Sequence, residues 1–360
     1  MRYPLLDIDL KKLYENAALI SGLCAEHGIQ VAGVIKGFGG LIECSREFVK
    51  GGCSQLASSR IEQLKRISQS DIEVPTLLLR SPMMSEIEDT VAFSDMCLIT
   101  EKATLLALEK EARKRQKVYK VILMYDVGDL REGIFDQREF VEAAVFIEKE
   151  LDWVVLEGVG SNFTCYGSVV PTVANLTVLC ALAEEIEGLI GRELALISGG
   201  ATTTLPLVVD GTIPKRVNHL RVGEAISTGY DLRENYDCVL KGQHDDVFTI
   251  TAQIIEVNAK PTFPIGRRVK NSFSETVEYV DRGVRRRALI ALGHQDIGDS
   301  KQLIPLDPAM EVYGDSSDHT ILDIQASDRD YQVGDLVTFK MQYQAILYAS
   351  TSEYVRKRFV

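Results

Sequence analysis

The sequence predicts an α/β fold in which a parallel (β/α)8 barrel is followed by a β-rich C-terminal domain. Up to about residue 225, short apolar runs alternate with longer segments whose apolar residues recur at helical spacing. Beyond about residue 240, the chain is rich in Val, Ile and Thr and has turn signals without long helical patterns. We therefore expect a barrel over residues 8–235 and a second domain over residues 236–360, with residues 1–7 as candidates for packing against it.

Eight apolar runs supply the predicted barrel strands. Buried parallel strands are covered on both faces, so they read as continuous apolar runs rather than as alternating ones. Eight of them alternating with helices over roughly 220 residues match a closed barrel better than an open sheet. The runs are residues 30–36, 54–58, 75–80, 95–100, 119–128, 153–163, 194–200 and 217–225.

The second domain is predicted from segments of strand-like composition that turn signals separate. We interpret them as antiparallel strands, because no long helical pattern intervenes. The segments are residues 247–259, 286–293, 319–324 and 334–349.

Charge, hydropathy and cysteine content indicate which partners and which location are expected. The net charge of −12 over 360 residues disfavours nucleic acid and anionic membranes as partners, and it tolerates a cationic small molecule. No stretch is long and apolar enough to span a bilayer, and the N-terminus lacks the apolar core of a signal peptide. The seven cysteines are scattered, odd in number and without a C-x-x-C pair, which suits reduced thiols in the cytoplasm.

The segment VAGVIKGFGG, residues 31–40, carries the most informative lysine. A predicted strand ends in Lys36 and is followed at once by glycine, which places an amine at the mouth of a packed scaffold. Desolvation there can lower the pKa of the amine, and such a lysine is a candidate Schiff-base former. For an isolated lysine of this kind, the alternative is a strand cap whose ammonium lies in water.

Further polar residues follow the other predicted strands, and barrel active sites form at these carboxyl ends. The set contains several cations and few carboxylates, which suits a phosphorylated ligand. Two glycine-containing turns, SGGATT (198–203) and RVGEA (221–225), follow the seventh and eighth strands, where barrel phosphate sites often lie. The other residues at strand ends are Lys36, Arg60, Arg80, Asp126, Arg131, Asn162 and Cys165.

An ordered set of motifs makes the chain resemble the alanine-racemase-type proteins that depend on pyridoxal phosphate (PLP), and most closely their ornithine/lysine racemase branch. The resemblance covers nearly the whole length. The motifs are IDLKKLYENA, VAGVIKG, YDVGDLREGIF, GVGSNFTCYGSVVPT, LISGGATTTLP, VNHLRVGEAI and RALIALGHQD.

The resemblance implies a role for individual residues. Lys36 matches the lysine that forms a Schiff base with PLP and acts as one of two acid/base groups. Arg221 matches the arginine that hydrogen-bonds the pyridine nitrogen, which would leave that nitrogen unprotonated. Arg131 matches an arginine near the phenolic oxygen and the substrate carboxylate, and Asn162 falls where a histidine usually stacks on the ring. The implied phosphate-binding segments contain Ser198, Gly199, Gly200, Ala201, Thr202, Gly223 and Glu224.

Two departures from the family pattern concern catalysis. Gly40 stands where alanine racemases have a tyrosine that reaches the phosphate, and His294 stands where their second acid/base tyrosine lies. Histidine is a common general base, so we favour His294 over any other single residue as the second proton carrier, and the alternative is a structural histidine in an interface turn. Competing candidates are Cys165, Tyr166 and His319.

The expected activity is racemisation of an amino acid, with a basic one such as ornithine or lysine as substrate. Asp129 and Glu132 are candidates for holding a distal ammonium. The alternatives are a D-amino-acid lyase and a non-catalytic PLP carrier. Metal-dependent lyases of this fold have an H-x-C pair where this chain has Tyr343 and Ala345, so no catalytic metal is expected. The resemblance also implies a homodimer in which each β domain closes the partner's barrel.

Overall fold

The computed structural model describes residues 2–271, 273–274 and 276–360, which form two compact units. One unit comprises residues 11–244, and the other comprises the N-terminal segment up to Leu10 together with residues 245–360. The first contains a closed barrel of parallel strands and the second contains an antiparallel sheet. The fold class predicted from the sequence is therefore confirmed.

The first strand, β1 (Leu5–Ile8), belongs to the β-rich unit, and the next eight strands form the barrel. Each barrel strand lies inside one of the eight predicted apolar runs and is shorter than that run. The barrel closes because the last strand pairs in parallel with the first, from Gln30 opposite His219 to Gly33 opposite Val222. The strands are β2 (Gln30–Val34), β3 (Gln55–Ser58), β4 (Thr76–Leu78), β5 (Met96–Ile99), β6 (Tyr119–Met124), β7 (Val154–Gly160), β8 (Leu196–Ser198) and β9 (His219–Val222).

Helices follow the barrel strands, and local signals fix several of their ends. The helix after β6 begins where the Asp136 carboxylate accepts a hydrogen bond from the Glu139 N–H, at 2.9 Å. The helix after β7 ends at Gly191, which adopts φ +77°. The helices of this region are α1 (Leu10–Glu26), α2 (Ile42–Lys50), α3 (Ile61–Ser68), α4 (Ile87–Phe93), α5 (Lys102–Arg115), α6 (Gln137–Glu150), α7 (Val173–Ile190), α8 (Leu205–Val209), α9 (Glu224–Ser227) and α10 (Tyr230–Tyr236).

A cluster of apolar side chains from six of the eight barrel strands fills the barrel interior. Burial of this surface is the main contribution that stabilises a barrel, and it leaves the strand ends to carry polar groups. The cluster consists of Ala32, Val34, Ala57, Leu77, Met96, Leu98, Ile122, Met124 and Leu196.

The β-rich unit contains β1 and seven later strands. These are β10 (Phe248–Pro261), β11 (Val284–Ile290), β12 (Leu303–Pro305), β13 (Glu311–Asp315), β14 (Thr320–Asp323), β15 (Leu336–Met341) and β16 (Arg356–Phe359). They form a mostly antiparallel sheet with the strand order β12-β15-β10-β11-β14-β13, and β1 pairs with both β10 and β16. A short helix, α11 (His294–Ile297), lies after β11.

The prediction of a strand through residues 334–349 is wrong in its second half. β15 ends at Met341, and α12 (Tyr343–Thr351) follows. The helix buries Ala345, Ile346 and Ala349, whose spacing of three and four residues marks one helical face. An apolar run can fit a strand or a buried helix, and here the helical face is the one that packs.

None of the helices in the described part of the chain has the length and apolar character that crossing a membrane requires.

Candidate active site

Lys36 lies directly after β2, at the start of a single 3-10 turn, Lys36–Phe38. No hydrogen bond or ion pair ties its ammonium to another described residue. Burial lowers the pKa of the Lys36 amine, and Arg131 and Arg221 lower this pKa further, whereas Cys165 and Glu132 oppose the lowering. The structure therefore brings four predicted residues, Arg131, Glu132, Cys165 and Arg221, together around the Lys36 amine.

The turn after Lys36 also explains the glycine at position 40. Gly40 adopts φ +67°, and a Cβ placed there would lie 2.9 Å from the Cβ of Gln63. A tyrosine at this position would meet both backbone strain and a steric clash, so this chain cannot use one there without a shift of α3.

Arg221 lies on β9 and is buried, with 4% of its surface exposed. Its Nη2 donates to the backbone oxygen of Ser161 and to Oδ1 of Asn162, each at 2.8 Å, and its Nη1 donates to Oγ of Ser198. Burial lowers the pKa of Arg221 to about 10, so the guanidinium remains a cation at neutral pH. The hydrogen bonds made to described residues leave the Nε–H and one Nη1–H of Arg221 available.

A chain of polar contacts leads outward from Arg221 to Arg131. Asn162 donates from Nδ2 to Oε1 of Glu132 at 2.5 Å, and Arg131 donates from Nη2 to the same oxygen at 2.7 Å. Glu132, a candidate for holding a distal substrate ammonium, is thus already engaged by a cation and an amide.

Asp129, the other such candidate, holds a loop. Its carboxylate accepts hydrogen bonds from the Tyr166 N–H at 3.1 Å and the Val169 N–H at 3.4 Å. Its backbone oxygen accepts from the Gly167 N–H at 3.0 Å, and a Cβ on Gly167 would lie 2.6 Å from that oxygen. Asp129 therefore fastens the loop after β7 to the loop after β6, in addition to the contact between Asn162 and Glu132.

This loop carries Cys165 and Tyr166, which are both exposed. Cys165 lies close enough to two cations, Lys36 and Arg221, to raise the pKa values of both. The loop also contains two residues with positive φ, Thr164 at 54° and Ser168 at 54°. Non-glycine residues adopt this conformation at a cost in energy, so the loop is held by its contacts rather than by local preference.

The two glycine-containing turns lie side by side at the end of β8 and β9. The Ala225 N–H donates to Oγ1 of Thr202 at 3.2 Å, which joins the turns. Gly200 adopts φ +107°, and a Cβ there would lie 2.6 Å from Oγ1 of Thr204. Apart from the Ala225 N–H, which Thr202 engages, the first N–H groups of the 3-10 turn Thr202–Thr204 and of α9 have no acceptors within their own helices, so they can bind an anion.

Three further residues that were predicted to bind the cofactor, Ser198, Gly199 and Glu224, make specific contacts within the protein. The Ser198 hydroxyl, fully buried, contacts Arg221 and His219 rather than the turns. The Gly199 N–H donates to the backbone oxygen of His219 at 3.0 Å. Burial raises the pKa of the Glu224 carboxyl, whose Oε1 accepts from Thr228.

Three other residues that were predicted at strand ends are either engaged in local contacts or exposed. Arg80 donates from Nη2 to Oε2 of Glu86 at 2.9 Å, and Asp126 accepts from the Gly128 and Leu130 N–H groups of its own loop. Arg60 is exposed at the start of α3. Their position at strand ends did not distinguish these residues from the ones around Lys36.

His294 and His319 belong to the β-rich unit. The His294 ring stacks on Phe273 with 4.1 Å between ring centroids, and its Nδ1 lies 3.5 Å from Oδ1 of Asp315. His319 contacts its neighbour Asp318, at 2.9 Å between Nδ1 and Oδ1.

The residues of the barrel unit fit the chemical groups of PLP. The unpaired amine of Lys36 suits the aldehyde, the free N–H groups of Arg221 suit an unprotonated pyridine nitrogen, and the paired turns suit the phosphate. The fit rests on atoms that lack protein partners among the described residues and on backbone space that a Cβ at Gly200 would fill.

Comparison with known proteins gives matches over the whole chain. Residues 8–231 match the family model described as alanine racemase, N-terminal domain. An ornithine racemase of Acetoanaerobium sticklandii is 39% identical over 355 residues, which cover 99% of each chain. A lysine racemase of Thermotoga maritima is 38% identical over 357 residues, covering 99% of this chain and 98% of that protein. The solved alanine racemase of Clostridium difficile 630 superposes with a TM-score of 0.75 at 18% identity, covering 100% of this chain and 96% of the other, so it supports the fold alone.

Proposed function

The chain belongs to the alanine racemase family, and from this membership we propose that it is a PLP-dependent racemase that interconverts L- and D-amino acids. The observation that carries the proposal is the unpaired, desolvated amine of Lys36 beside the buried cation Arg221. A lysine with a purely structural role would gain nothing from partial burial without a partner, because desolvation of an unpaired ammonium costs free energy.

The substrate that we propose is a basic amino acid such as ornithine or lysine. Two full-length relatives with 39% and 38% identity are named for these substrates, which supports the same class here. The net charge of −12 is compatible with a substrate that carries an extra ammonium.

When bound, PLP would supply the electron-withdrawing system that makes the proton on the substrate Cα acidic. Lys36 would hold the aldehyde end and move a proton at Cα on one face. The Arg221 guanidinium would donate a hydrogen bond toward the ring nitrogen without giving up its proton, because its pKa of about 10 keeps it charged. A weaker electron sink limits side reactions such as transamination, which suits a racemase.

Around these two groups, the other residues orient the ligands. Gly200, Ala201 and Thr202, with Gly223 and Glu224, would hold the phosphate through backbone N–H groups. Arg131, held by Glu132, would bind the substrate carboxylate. Asn162 would keep its contact with Arg221 beside the ring.

Racemisation requires a second proton carrier on the opposite face of Cα, and we propose His294 or the loop residues Cys165 and Tyr166 for this role. Cys165 acts on the pKa values of Lys36 and Arg221, which supports a place within the same site. The contacts of His294 with Phe273 and Asp315 leave its Nε2 available. His294 would serve the barrel of a second copy, in a head-to-tail homodimer whose β-rich unit closes the barrel mouth and excludes water. The seven free cysteines support a cytoplasmic location.

The experiment is to treat the purified protein with borohydride and to incubate it with L- and D-ornithine, lysine and alanine, followed by chiral chromatography. We expect a reduced PLP adduct on Lys36 and conversion of a basic amino acid in both directions. Lys36→Ala should lose the adduct and all racemisation, whereas Lys11→Ala, at an exposed lysine, should retain both. Cleavage products in place of the enantiomer would indicate a lyase, and a bound cofactor without turnover would indicate a PLP carrier.

The proposed homodimer is tested separately, by its mass in solution. Light scattering at working concentrations should give twice the mass of the 40.0 kDa chain, and a fully active monomer would contradict the proposal.

A further inference from the structure

His219 lies behind Arg221, two residues earlier on β9, and the sequence motifs did not single it out. Since side chains two residues apart share one face of a strand, both point into the barrel. His219 is buried, with 1% of its surface exposed. Its Nδ1 lies 2.8 Å from Oγ of Ser198, and its Nε2 lies 3.3 Å from Oε1 of Gln55, the first residue of β3.

Arg221, Ser198, His219 and Gln55 form a row of hydrogen-bonded side chains. The protons available on each group determine the direction of the hydrogen bonds in this row. Arg221 can only donate, so Oγ of Ser198 accepts from Nη1. Oε1 of Gln55 can only accept, so the proton of a neutral His219 ring lies on Nε2 and is donated to Gln55. Nδ1 is then unprotonated and accepts the Ser198 proton.

A neutral ring is required for this pattern, because an imidazolium would present N–H groups on both sides. Burial, together with the charge of Arg221, lowers the pKa of His219 to about 3, which agrees with the neutral form. The row therefore orients Arg221 through neutral groups only. A carboxylate in the same place would offset part of the cationic charge that faces the cofactor.

We infer that His219 is a positioning residue for Arg221, which acts through Ser198 to aim the remaining N–H groups of the guanidinium at the PLP ring nitrogen. The inference rests on the proposed function. By accepting the Ser198 proton, His219 turns the oxygen lone pairs of Ser198 toward Nη1 of Arg221. Three of the five guanidinium N–H groups then have fixed protein acceptors, at Ser198, Ser161 and Asn162, and the other two are directed by them.

Two amide substitutions distinguish the role of Nδ1 of His219 from the role of Nε2. The amide of His219→Asn ends near the position of Nδ1 and can accept the Ser198 proton, whereas the amide of His219→Gln ends near Nε2 and cannot. The exposed His27 supplies a matched control as His27→Asn. Cofactor-free protein is titrated with PLP, and the dissociation constant and the visible absorption maximum of the bound cofactor are measured, with circular dichroism as the check on folding.

We expect His219→Gln to weaken PLP binding by about 10- to 100-fold and to shift the absorption maximum, as loss of a buried hydrogen bond to an oriented group does. His219→Asn should recover most of the affinity and the wild-type spectrum, and His27→Asn should match the wild type. Equal loss in the folded Asn and Gln variants, or no loss in the Gln variant, would overturn the role of His219 while leaving the racemase proposal intact. Failure of the wild type to bind PLP would overturn both.

Discussion

Arg221 divides the candidate site into two regions that differ in charge and in support. On the inner side, Ser198, His219 and Gln55 are buried, neutral and hydrogen-bonded in one direction. On the outer side, Glu132 and Arg131 are charged and lie on a loop, and Lys36 has no protein partner among the described residues. We infer that the inner side fixes geometry and that the outer side supplies the charges and the unpaired groups on which chemistry acts.

The loops on the outer side contain residues with an unfavourable backbone conformation. Leu130, Thr164 and Ser168 all have positive φ, and the carboxylate of Asp129 fastens the two loops together. Strain of this kind persists where surrounding contacts determine the conformation, and it is common at functional sites. The loops are thus built to present Cys165 and Asn162 at the mouth.

The largest expected effect that tests this division concerns the second proton carrier. Each face of Cα has its own carrier, so replacement of one carrier should slow loss of the α-hydrogen from one enantiomer far more than from the other. We expect a one-sided loss of about 10²- to 10⁴-fold for the true carrier. The measurement is deuterium washout from L- and D-substrate, separately, for His294→Asn, Cys165→Ser and Tyr166→Phe.

The outcome assigns the carrier to one unit. If His294→Asn is selectively impaired, the β-rich unit supplies the group. If Cys165→Ser or Tyr166→Phe is impaired and His294→Asn slows neither direction, the outer loop supplies it and His294 is structural. An equal loss in both directions from every variant would contradict a carrier among these three.

A smaller effect is expected from Glu132→Gln, which removes the charge that holds Arg131 while keeping the size of the side chain. Hydrogen bonds to charged groups contribute about 1.5–3 kcal/mol, so we expect KM for the amino acid to rise by about tenfold or more. PLP affinity should change little, in contrast to the effect of His219→Gln. Glu157→Gln, at a carboxylate paired with Lys120 outside the candidate site, is the matched control. If Glu132→Gln weakens PLP binding as His219→Gln does, both sides of Arg221 contribute to cofactor binding. That result would contradict the division into an inner side that fixes geometry and an outer side that supplies charge.

The fold could be predicted because buried parallel strands leave a clear signal. All eight barrel strands lie within apolar runs, and Lys36 and Arg221 stand at the ends of two of them. α12 was mistaken for part of a strand because a short apolar run fits either structure until its packing partner is known.

The remaining site residues depend on contacts that the sequence does not display. The hydrogen bond from the Tyr166 N–H to Asp129 joins residues 37 positions apart in two irregular loops, and no periodic pattern marks it. His219 had a usable signal, since it precedes Arg221 by two residues within a buried strand. A histidine in that setting is commonly a packed core residue, and only its contacts with Ser198 and Gln55 distinguish it.

The smallest expected effect concerns stability, and it follows from the unpaired state of Lys36. Burial lowers the pKa of Lys36 in the folded protein below its ordinary value, so the folded state binds fewer protons than the unfolded state between these two pKa values. Stability of the cofactor-free protein should therefore rise with pH through that interval, and the cost of the buried ammonium is fully present below it. Lys36→Met removes the charge, so it should raise the unfolding temperature by roughly 2–4 °C near pH 6, and the gain should shrink as pH approaches 10. The measurement is thermal unfolding of both cofactor-free proteins between pH 6 and pH 10, with Lys11→Met at an exposed lysine as control. A rise in unfolding temperature that does not depend on pH would be attributed to packing of the methionine. A lower unfolding temperature at pH 6 would contradict the prediction, because it would show that the folded protein stabilises the Lys36 ammonium.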